Sequence, residues 1–265
     1  MVRILLPPSE GKTVPSGRRV LDLEQLSLPG LTPTRERVLN ALEELARGPA
    51  DIAASVLGIS PRQVDELERD RHLRTEPAAP ARQVYSGVLY EALDLPSLTS
   101  AASRRATSTL LISSALFGMV RLTDVIPAYR LSGNTDLPGV GSLAALWREP
   151  LGAAIAPLLR TGLIVDLRSG AYAAHWVPRE SMAARTVTVR VLQERVIKGE
   201  RQRVVVSHHN KATKGRLVRA LLTESASPRN VTEFVAVCRD LGFHAETTSV
   251  STSGIGGVDI IVDEV

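Results

Sequence analysis

The chain has 265 residues, of which 44% are hydrophobic and 23% are charged, a balance typical of soluble globular proteins. Aromatic residues make up only 3% of the chain, which argues against a protein that stacks single-stranded nucleic acid on aromatic rings. The single cysteine, Cys238, excludes disulfides within the chain and a cysteine-rich metal site, and its apolar neighbours predict a buried thiol.

The chain starts with a short apolar segment, residues 2–6, which predicts a buried strand that ends at Pro7-Pro8. Because this segment is too short for a signal peptide or a membrane span, we expect a cytoplasmic protein with no membrane partner. Gly11-Lys12-Thr13 comes next and is similar to the end of a phosphate-binding P-loop, but Leu6 stands where that motif has its first glycine. We therefore exclude a nucleoside triphosphatase, although the Lys12 ammonium can still bind an anion.

Residues from about 32 to 82 predict a mainly helical segment with prolines at its boundaries. Thr32-Pro33 and Ser60-Pro61 each have the pattern of a helix start. The charged residues of the helix that starts at Ser60-Pro61, among them Asp70, predict a solvated surface helix. We interpret the whole segment as an insertion into a single domain that spans residues 1–265.

Beyond a predicted linker at residues 75–81, the pattern is typical of alternating strands and helices. Residues 109–113 predict a buried strand, and a polar loop at residues 121–131 follows it. A helix over residues 142–159 and another buried strand over residues 162–167 come next. Open α/β sheets bind ligands at loops just beyond the carboxyl ends of strands, so we expect a site at these loops.

A basic segment lies near the end of the chain, where six basic residues and one acidic residue give residues 200–219 a net charge of +5, against +4 for the whole chain. Residues 202–206 predict a strand that pairs with residues 186–192 across a turn at Lys198-Gly199. Residues 207–219 then predict a polar turn and the start of a helix, where free N–H groups and the helix dipole favour an anion. A solvated basic helix that binds nothing would have the same pattern.

Polar side chains follow several of the predicted strands, so we expect them to converge at one edge of the sheet as an anion clamp or an acid–base site. The candidates for binding nucleic acid or another anion are Ser9, Lys12, Arg121, Arg130, Lys211, Lys214, Arg216 and Arg219. The candidates for catalysis are Asp124, Tyr129 and Tyr172. The five histidines lack the spacing of a zinc site, and we expect neither a metal nor another cofactor. A fold whose polar residues only tie strands together through buried ion pairs stays an alternative.

Five motifs occur in the same order as in the YaaA peroxide-stress family, and the chain resembles that family over essentially its full length. The motifs are Pro7-Pro8-Ser9-Glu10-Gly11-Lys12-Thr13; Tyr85-Ser86-Gly87-Val88-Leu89-Tyr90; Leu111-Ile112-Ser113-Ser114-Ala115-Leu116-Phe117-Gly118 with Arg121, Asp124 and Tyr129-Arg130; Asp166-Leu167-Arg168-Ser169 with Tyr172; and Lys211 with Lys214-Gly215 and Arg219. The chain departs from the family pattern at Leu122, where the family often has proline, and at Ala171, where it commonly has glutamate.

The resemblance implies one cytoplasmic domain of mixed α/β type, with a central mixed sheet and flanking helices. It also implies a role in the response to peroxide stress, in which the protein limits iron-dependent oxidative damage. Finally, it implies that duplex or branched DNA binds in a basic cleft. Residues 211–219 would then contact DNA phosphates, which is the sequence-independent part of DNA binding.

The alternative is an enzyme that acts on a small phosphorylated or otherwise anionic metabolite. In that case Lys12 or Lys214 would hold the anion, and Tyr129 or Asp124 would transfer protons. The two hypotheses predict different shapes: an enclosed pocket too narrow for a duplex favours the enzyme, and a broad open groove favours DNA.

Overall fold

A computed structural model of the chain describes residues 2–60, 63–197, 200–204 and 207–262. Its strands are β1 (Arg3–Leu6), β2 (Ala78–Pro80), β3 (Leu110–Ser114), β4 (Gly118–Val120), β5 (Val125–Pro127), β6 (Asp136–Leu137), β7 (Gly141–Ser142), β8 (Ile164–Asp166), β9 (Thr186–Ile197), β10 (Glu200–Val204), β11 (His244–Thr248) and β12 (Gly256–Val262). Its helices are α1 (Thr32–Arg47), α2 (Ala50–Leu57), α3 (Val64–Asp70), α4 (Ala81–Val84), α5 (Val88–Leu93), α6 (Ser100–Thr109), α7 (Leu143–Ile155), α8 (Gly170–Ala173), α9 (Glu180–Ala183), α10 (Ser207–Thr223) and α11 (Val231–Asp240). Within these described ranges, no helix combines the length and the apolar character needed to cross a membrane.

The main sheet has the strand order β4-β3-β1-β8-β9-β12-β11, and β10 pairs with the far end of β9. Neighbouring strands from β3 to β12 run parallel, whereas β4, β10 and β11 are antiparallel to their partners. The predicted α/β fold with a central mixed sheet and flanking helices is therefore confirmed. Because the chain pairs β1 with β3 on one side and with β8 on the other, the strand order changes direction at β1. Ligand sites of open α/β sheets form at this kind of position.

Strand β1 is buried on both faces, because Ile4, Leu5 and Leu6 are completely covered. Leu5 lies opposite Leu111 of β3 and opposite Asp166 of β8. A parallel strand that is covered on both faces is apolar throughout, which explains the continuous apolar segment at the start of the sequence. The carboxyl ends of β1, β3 and β8 therefore lie side by side at one edge of the sheet.

The buried side chains of the sheet form one cluster with those of the predicted helical segment. Val38 and Leu42 of α1 belong to this cluster, and so does Leu67 of α3. The prediction of a solvated surface helix near residue 70 holds for Asp65 and Glu68, which are exposed, but it is wrong for Asp70, which is buried. The interpretation of the helical segment as an insertion into one domain stays a prediction.

The basic segment is helical from its beginning. Residues 207–213, which the sequence predicts as a polar turn, form the first turns of α10. Residues 207–213 contain few strong helix formers, so the helix is stabilised mainly by the packing of its later residues Leu217, Val218 and Leu221, which are buried. Lys211 and Lys214 therefore belong to a helix, whereas Val205 and Val206 of the predicted strand lie outside the described residues.

The predicted hairpin exists, but its register differs from the prediction. Strand β9 is longer than predicted, and its last residues, 193–197, pair with β10. Residues 186–192, predicted as the partner in the hairpin, pair with β12 instead. An apolar alternating segment predicts a strand but does not predict which strand it pairs with, and here β12 pairs with the first part of β9. The predicted turn at Lys198-Gly199 lies outside the described residues.

Six short strands, β2, β4, β5, β6, β7 and β11, lie where the sequence predicts none, and two of them show why. Strand β2 falls within the predicted linker and pairs with β5 in a separate two-stranded sheet. Strand β11 forms an edge of the main sheet and pairs with β12. Both are short, and β11 (His244–Thr248) is mostly polar, so neither carries the apolar alternation that predicts a strand.

Candidate functional site

A cavity of about 720 Å³ opens at the carboxyl ends of β1 and β8. Its size falls within the range of about 300–1,000 Å³ that is usual for small-molecule sites. The wall consists of residues 7–11 after β1, residues 86–90 at the start of α5, residues 167–170 after β8, Tyr172 and Ala173 of α8, residues 188–190 of β9, and Asn210, Lys211 and Lys214 of α10. The cavity therefore lies at the point where the strand order changes direction.

Lys214 contributes a positive charge to the wall of this cavity. The residue is only 9% exposed, and its Nζ donates a hydrogen bond to the carbonyl oxygen of Leu167 at 3.0 Å. Among the residues that the structure describes, no carboxylate forms an ion pair with this ammonium. Burial lowers the pKa of Lys214, and the charge of Asp166 only partly opposes this effect. A buried charge without a counter-ion is costly, so Lys214 favours an anion in the cavity.

The Asp166 carboxylate is already paired with Arg168. Arg168 donates from Nε to Oδ1 at 2.9 Å and from Nη2 to Oδ2 at 2.7 Å. The same guanidinium donates to the carbonyl oxygens of Tyr172 at 3.2 Å and Trp176 at 3.0 Å. This buried pair ties the end of β8 to α8, and it leaves Lys214 without an ion-pair partner among the described residues.

Gly215 lets α10 approach α5 closely. A Cβ atom at this position would overlap the carbonyl oxygen of Leu89 and would lie 2.9 Å from the Cβ atom of Ala92. Because protein interiors are close-packed, a larger residue would push the two helices apart. The close approach brings Lys214 of α10 and the apolar Val88 and Leu89 of α5 to the same cavity.

The loop that follows β1, residues 7–12, forms one side of the cavity, and we call it the β1 loop. Tyr90 donates a hydrogen bond from its hydroxyl to the carbonyl oxygen of Pro7 at 2.7 Å. Ser86 donates from Oγ to the carbonyl oxygen of Gly11 at 3.4 Å. Helix α5 and the turn before it therefore hold both ends of the β1 loop.

Lys12 stabilises the β1 loop from within. Its Nζ donates to the carbonyl oxygens of Ser9 at 3.1 Å and Glu10 at 3.3 Å, and it lies 4.1 Å from the ring centroid of Tyr129. The Ser9 hydroxyl accepts a further hydrogen bond from the N–H of Ser86 at 3.0 Å. Burial lowers the pKa of Lys12 to about 8, although the charge of Glu10 raises it. The ammonium therefore binds the loop itself.

Tyr129 belongs to a chain of hydrogen-bonded hydroxyl groups behind the cavity wall. Its hydroxyl bonds to Ser114 Oγ at 2.7 Å and to the Tyr85 hydroxyl at 3.1 Å. Ser114 Oγ also accepts a hydrogen bond from the N–H of Phe117 at 2.9 Å. Burial raises the pKa of Tyr129 well above its usual range and the pKa of Tyr85 to about 12. Both phenols therefore stay protonated at neutral pH.

Arg130 joins the β1 loop to the helical segment. It pairs with Glu10 at 3.2 Å and with Glu66 of α3 at 3.6 Å. Its N–H donates to Asp70 Oδ1 at 2.9 Å, which explains why this carboxyl group is buried, whereas Oδ2 accepts no hydrogen bond from the described residues. Burial raises the pKa of Asp70 to about 8, although the Arg130 N–H and the Lys12 charge lower it. Two cations and the carboxylates of Glu10 and Glu66 thus compensate one another, beside an Asp70 carboxyl group that holds its proton at pH 7.

The three candidates for catalysis lie in different places. Tyr172 is on the cavity wall, and burial raises the pKa of its hydroxyl. Tyr129 lies behind the wall in the hydroxyl chain. Asp124 accepts hydrogen bonds from the N–H and Oγ of Ser27 at 3.1 and 2.7 Å and from the N–H of Arg121 at 2.9 Å, so it fixes its own loop. Neither Asp124 nor the polar loop around it lines the cavity.

The candidates for anion binding fall into three groups. Ser9, Lys211 and Lys214 lie on the cavity wall, and Lys211 is exposed to solvent. Lys12 and Arg130 lie behind the β1 loop, within the charge cluster described above. The remaining three candidates do not line the cavity.

Arg219 is the clearest member of the third group. It donates to the carbonyl oxygens of Leu93 at 3.0 Å and Asp94 at 2.8 Å, and the Asp94 carboxylate lies 3.6 Å away. A cation at this position compensates the carboxyl end of α5. Arg216 is exposed on α10, and Arg121 is partly exposed beside its own loop.

Sequence reasoning passed over several residues of the site. Glu10 and Ser86 line the cavity, and each lies within a motif that the sequence already singled out. Their position next to other candidates was the available signal. Glu66 and Asp70 gave no such signal, because charged residues on a helix usually face solvent.

Comparisons with known proteins agree with the motif order. The sequence pattern of the peroxide stress protein YaaA matches residues 2–248. A UPF0246 protein of Streptomyces coelicolor is 47% identical over 263 residues, which cover 99% of both chains. A UPF0246 protein of Corynebacterium efficiens is 42% identical over 245 residues, which cover 92% of this chain and 94% of the relative. The predicted resemblance is thereby confirmed, and the chain belongs to the YaaA, or UPF0246, family of peroxide stress proteins.

Proposed function

We propose that the protein binds a small anionic metabolite in this cavity, as an enzyme that acts on such a compound would. The observation that carries the proposal is Lys214, a buried ammonium on the cavity wall with no carboxylate partner among the described residues. An anion in the cavity would supply the missing counter-charge and would accept the hydrogen bonds that Lys214 still has available.

The rest of the wall narrows the class of ligand. Pro7, Val88, Leu89 and Tyr90 offer apolar surface, so the anionic group would be attached to an apolar or aromatic body. Tyr172 would stay protonated and could donate a hydrogen bond or a proton to the ligand, because burial raises its pKa. A cavity of about 720 Å³ suits a compound of the size of a nucleotide or smaller.

The proposal is tested by Lys214→Met, with inorganic sulfate and a set of nucleotides and phosphorylated metabolites as probes. Isothermal titration should show at least tenfold weaker binding than the wild type. Arg216→Met is the matched control, because it removes the same charge from the exposed side of the same helix. Lys214→Met should fold normally, since it removes a buried charge without a partner. Equal binding by Lys214→Met and the wild type would overturn the proposal.

DNA binding is the second candidate function, and the exposed side of α10 favours it. Lys211 and Arg216 are exposed and form no ion pair within the described part of the chain. Cations of this kind contact DNA phosphates, and binding would then weaken with salt by a slope of about −0.9 for each phosphate contact. Gel-shift titrations of duplex and branched DNA across salt would test it. The double variant Lys211→Met/Arg216→Met should lose binding, whereas Lys214→Met should keep it.

We infer that either activity, metabolite binding or DNA binding, serves the response to peroxide, as the family name indicates. The resemblance implies a cytoplasmic role in which the protein limits iron-dependent damage, and we include that role in the proposal. In a strain that lacks the gene, the wild-type chain should restore survival in peroxide. Lys214→Met should fail to restore survival if the cavity is the functional site, and Arg216→Met, outside the cavity wall, should impair survival if DNA binding is.

A further inference from the structure

The carbonyl oxygens of the β1 loop are nearly all engaged. Those of Pro7 and Gly11 accept hydrogen bonds from the side chains of Tyr90 and Ser86. Those of Ser9 and Glu10 accept from the Lys12 ammonium. Four of the five peptide carbonyls over residues 7–11 therefore point toward protein donors.

The N–H groups of the same loop, unlike its carbonyl groups, are mostly without partners among the described residues. Those of Ser9, Glu10 and Gly11 donate to no acceptor among the described residues, and all three residues line the cavity. Glu10 and Gly11 are exposed at the cavity, so their N–H groups donate to solvent, and an anion can take the place of that solvent. Successive free N–H groups in a loop form a concave site that binds anions.

Lys214 lies next to the start of this loop. Its Nζ donates to the carbonyl oxygen of Leu167, and the N–H of Leu167 donates to the carbonyl oxygen of Leu5 at 2.9 Å. Leu5 is the last residue but one of β1, which runs directly into the β1 loop. Lys214 and the three residues with free N–H groups therefore line the same cavity.

We propose that the β1 loop binds the oxyanion of the ligand through the N–H groups of Glu10 and Gly11, and that Lys12 is the positioning residue that holds the loop in this shape. The ligand group is a phosphate, a sulfate or a carboxylate. The inference rests on the proposed function and assigns the part of the cavity that recognises the anion.

This arrangement differs from a P-loop in the role of its lysine. In a P-loop the lysine reaches the phosphate, whereas the hydrogen bonds of Lys12 go to the carbonyl oxygens of its own loop. The groups that face Lys12 are Glu10 of the loop, Glu66 and Asp70 of α3, and Arg130. Lys12 therefore acts on the anion through the backbone.

Comparing the pH profiles of the wild type and Lys12→Arg separates this role from a purely structural one, because Lys214, whose pKa burial also lowers, is present in both proteins. Lys12 loses its proton as the pH rises through about 8, because burial lowers its pKa, and the loop then loses the charge that holds its carbonyl groups. Sulfate is a suitable probe, because it keeps two negative charges from pH 7 to pH 10. Wild-type affinity for sulfate should fall at least fivefold between pH 7 and pH 9.5.

The variants Lys12→Met and Lys12→Arg test the positioning role by isothermal titration. Lys12→Met should bind sulfate at least tenfold more weakly at pH 7, whereas the exposed control Arg18→Met should bind like the wild type. Lys12→Arg should restore most of the affinity. Its affinity should also fall less than that of the wild type between pH 7 and pH 9.5, because arginine keeps its charge.

The pair Gly11→Pro and Gly11→Ala tests the N–H groups directly, even if Lys12→Met does not fold. A Cβ atom at Gly11 would have no atom within 4 Å, so Gly11→Ala should bind sulfate like the wild type. Gly11→Pro removes one N–H and should bind at least fivefold more weakly. The inference is overturned if Lys214→Met weakens sulfate binding while Lys12→Met and Gly11→Pro bind like the wild type. If the wild type binds no anion, the proposed function fails and the inference fails with it.

Discussion

The cavity wall at Lys214 and the charge cluster around Arg130 differ in whether their buried cations have carboxylate partners. In the cluster, Arg130 and Lys12 face the carboxyl groups of Glu10, Glu66 and Asp70, so the protein compensates its own charges. On the wall, Lys214 has only a carbonyl oxygen as partner among the described residues. A balanced cluster needs no ligand, whereas an unbalanced charge at an open cavity indicates one.

The same contrast exists within helix α10. Arg219 lies five residues after Lys214, and its guanidinium binds the carboxyl end of α5. Both residues appear as equal members of a basic segment in the sequence. The difference teaches that the partner of each cation, and not the density of positive charge, identifies a binding site.

The largest expected effect tests the balance inside the cluster, through Asp70→Asn. The Asp70 carboxyl has a pKa of about 8 in the folded chain and its ordinary value of 3.8 when unfolded, so the folded state holds a proton that the unfolded state has lost between these values. Stability of the wild type should therefore fall relative to Asp70→Asn as the pH rises from 4 to 8, by up to about 1.4 kcal/mol per pH unit and roughly 5 kcal/mol in total. Denaturant unfolding across this pH range measures the effect.

Asp65→Asn is the matched control, because Asp65 is exposed on the same helix. It should follow the wild type at every pH. Parallel curves for the wild type and Asp70→Asn would contradict a buried, protonated Asp70.

Asp166→Ala tests the buried pair beside the cavity. It leaves the Arg168 guanidinium buried without its carboxylate, and we expect a loss of about 3–5 kcal/mol in the free energy of unfolding. Lys214→Met removes an unpaired charge from the same region and should not destabilise the fold. Urea titration of both variants makes the comparison, and similar losses would show that Lys214 has a counter-charge after all.

Gly215→Ala tests how closely α10 and α5 must pack to build the wall. The added Cβ overlaps backbone atoms of α5, so we expect a loss of about 3 kcal/mol in stability together with weaker sulfate binding. Gly30→Ala is the control, because a Cβ atom at Gly30 has no atom within 4 Å. Thermal unfolding and titration of both variants check the prediction, which is refuted if the two variants are equally stable.

Arg219→Met should have the smallest effect. It removes the hydrogen bonds to the end of α5 and should cost about 1–2 kcal/mol in stability. Sulfate affinity should not change, since Arg219 is outside the cavity wall. A loss of affinity as large as that of Lys214→Met would mean that the whole basic segment binds the anion.

Much of the framework could be predicted from local sequence. The apolar segments that became β1, β3 and β8 carry clear signals, Pro33 marks the first turn of α1, and Ser142 caps α7. The neighbours of a long strand could not be predicted in the same way, since the first part of β9 pairs with a strand about 70 residues later in the chain.

The site was predictable by residue type but not by partner. Ser9, Lys211 and Lys214 are on the cavity wall, as expected of polar residues that follow strands or start a helix. The partners that occupy Arg219 lie about 125 residues earlier, and those of Lys12 include a carboxyl group on a helix predicted to face solvent. Only the three-dimensional arrangement distinguishes a cation that already contacts protein acceptors from one that can bind a ligand.

The burial of Asp70 constrains how relatives of this chain can diverge. A shorter α3 would remove the carboxyl groups of Glu66 and Asp70, so that Lys12 and Arg130 would share Glu10 as an acidic neighbour. We expect such a deletion to be accompanied by a neutral replacement at position 12 or 130. We therefore expect positions 12, 66, 70 and 130 to covary among relatives. The residue at position 12 of the β1 loop would then indicate whether α3, more than fifty residues away, is present.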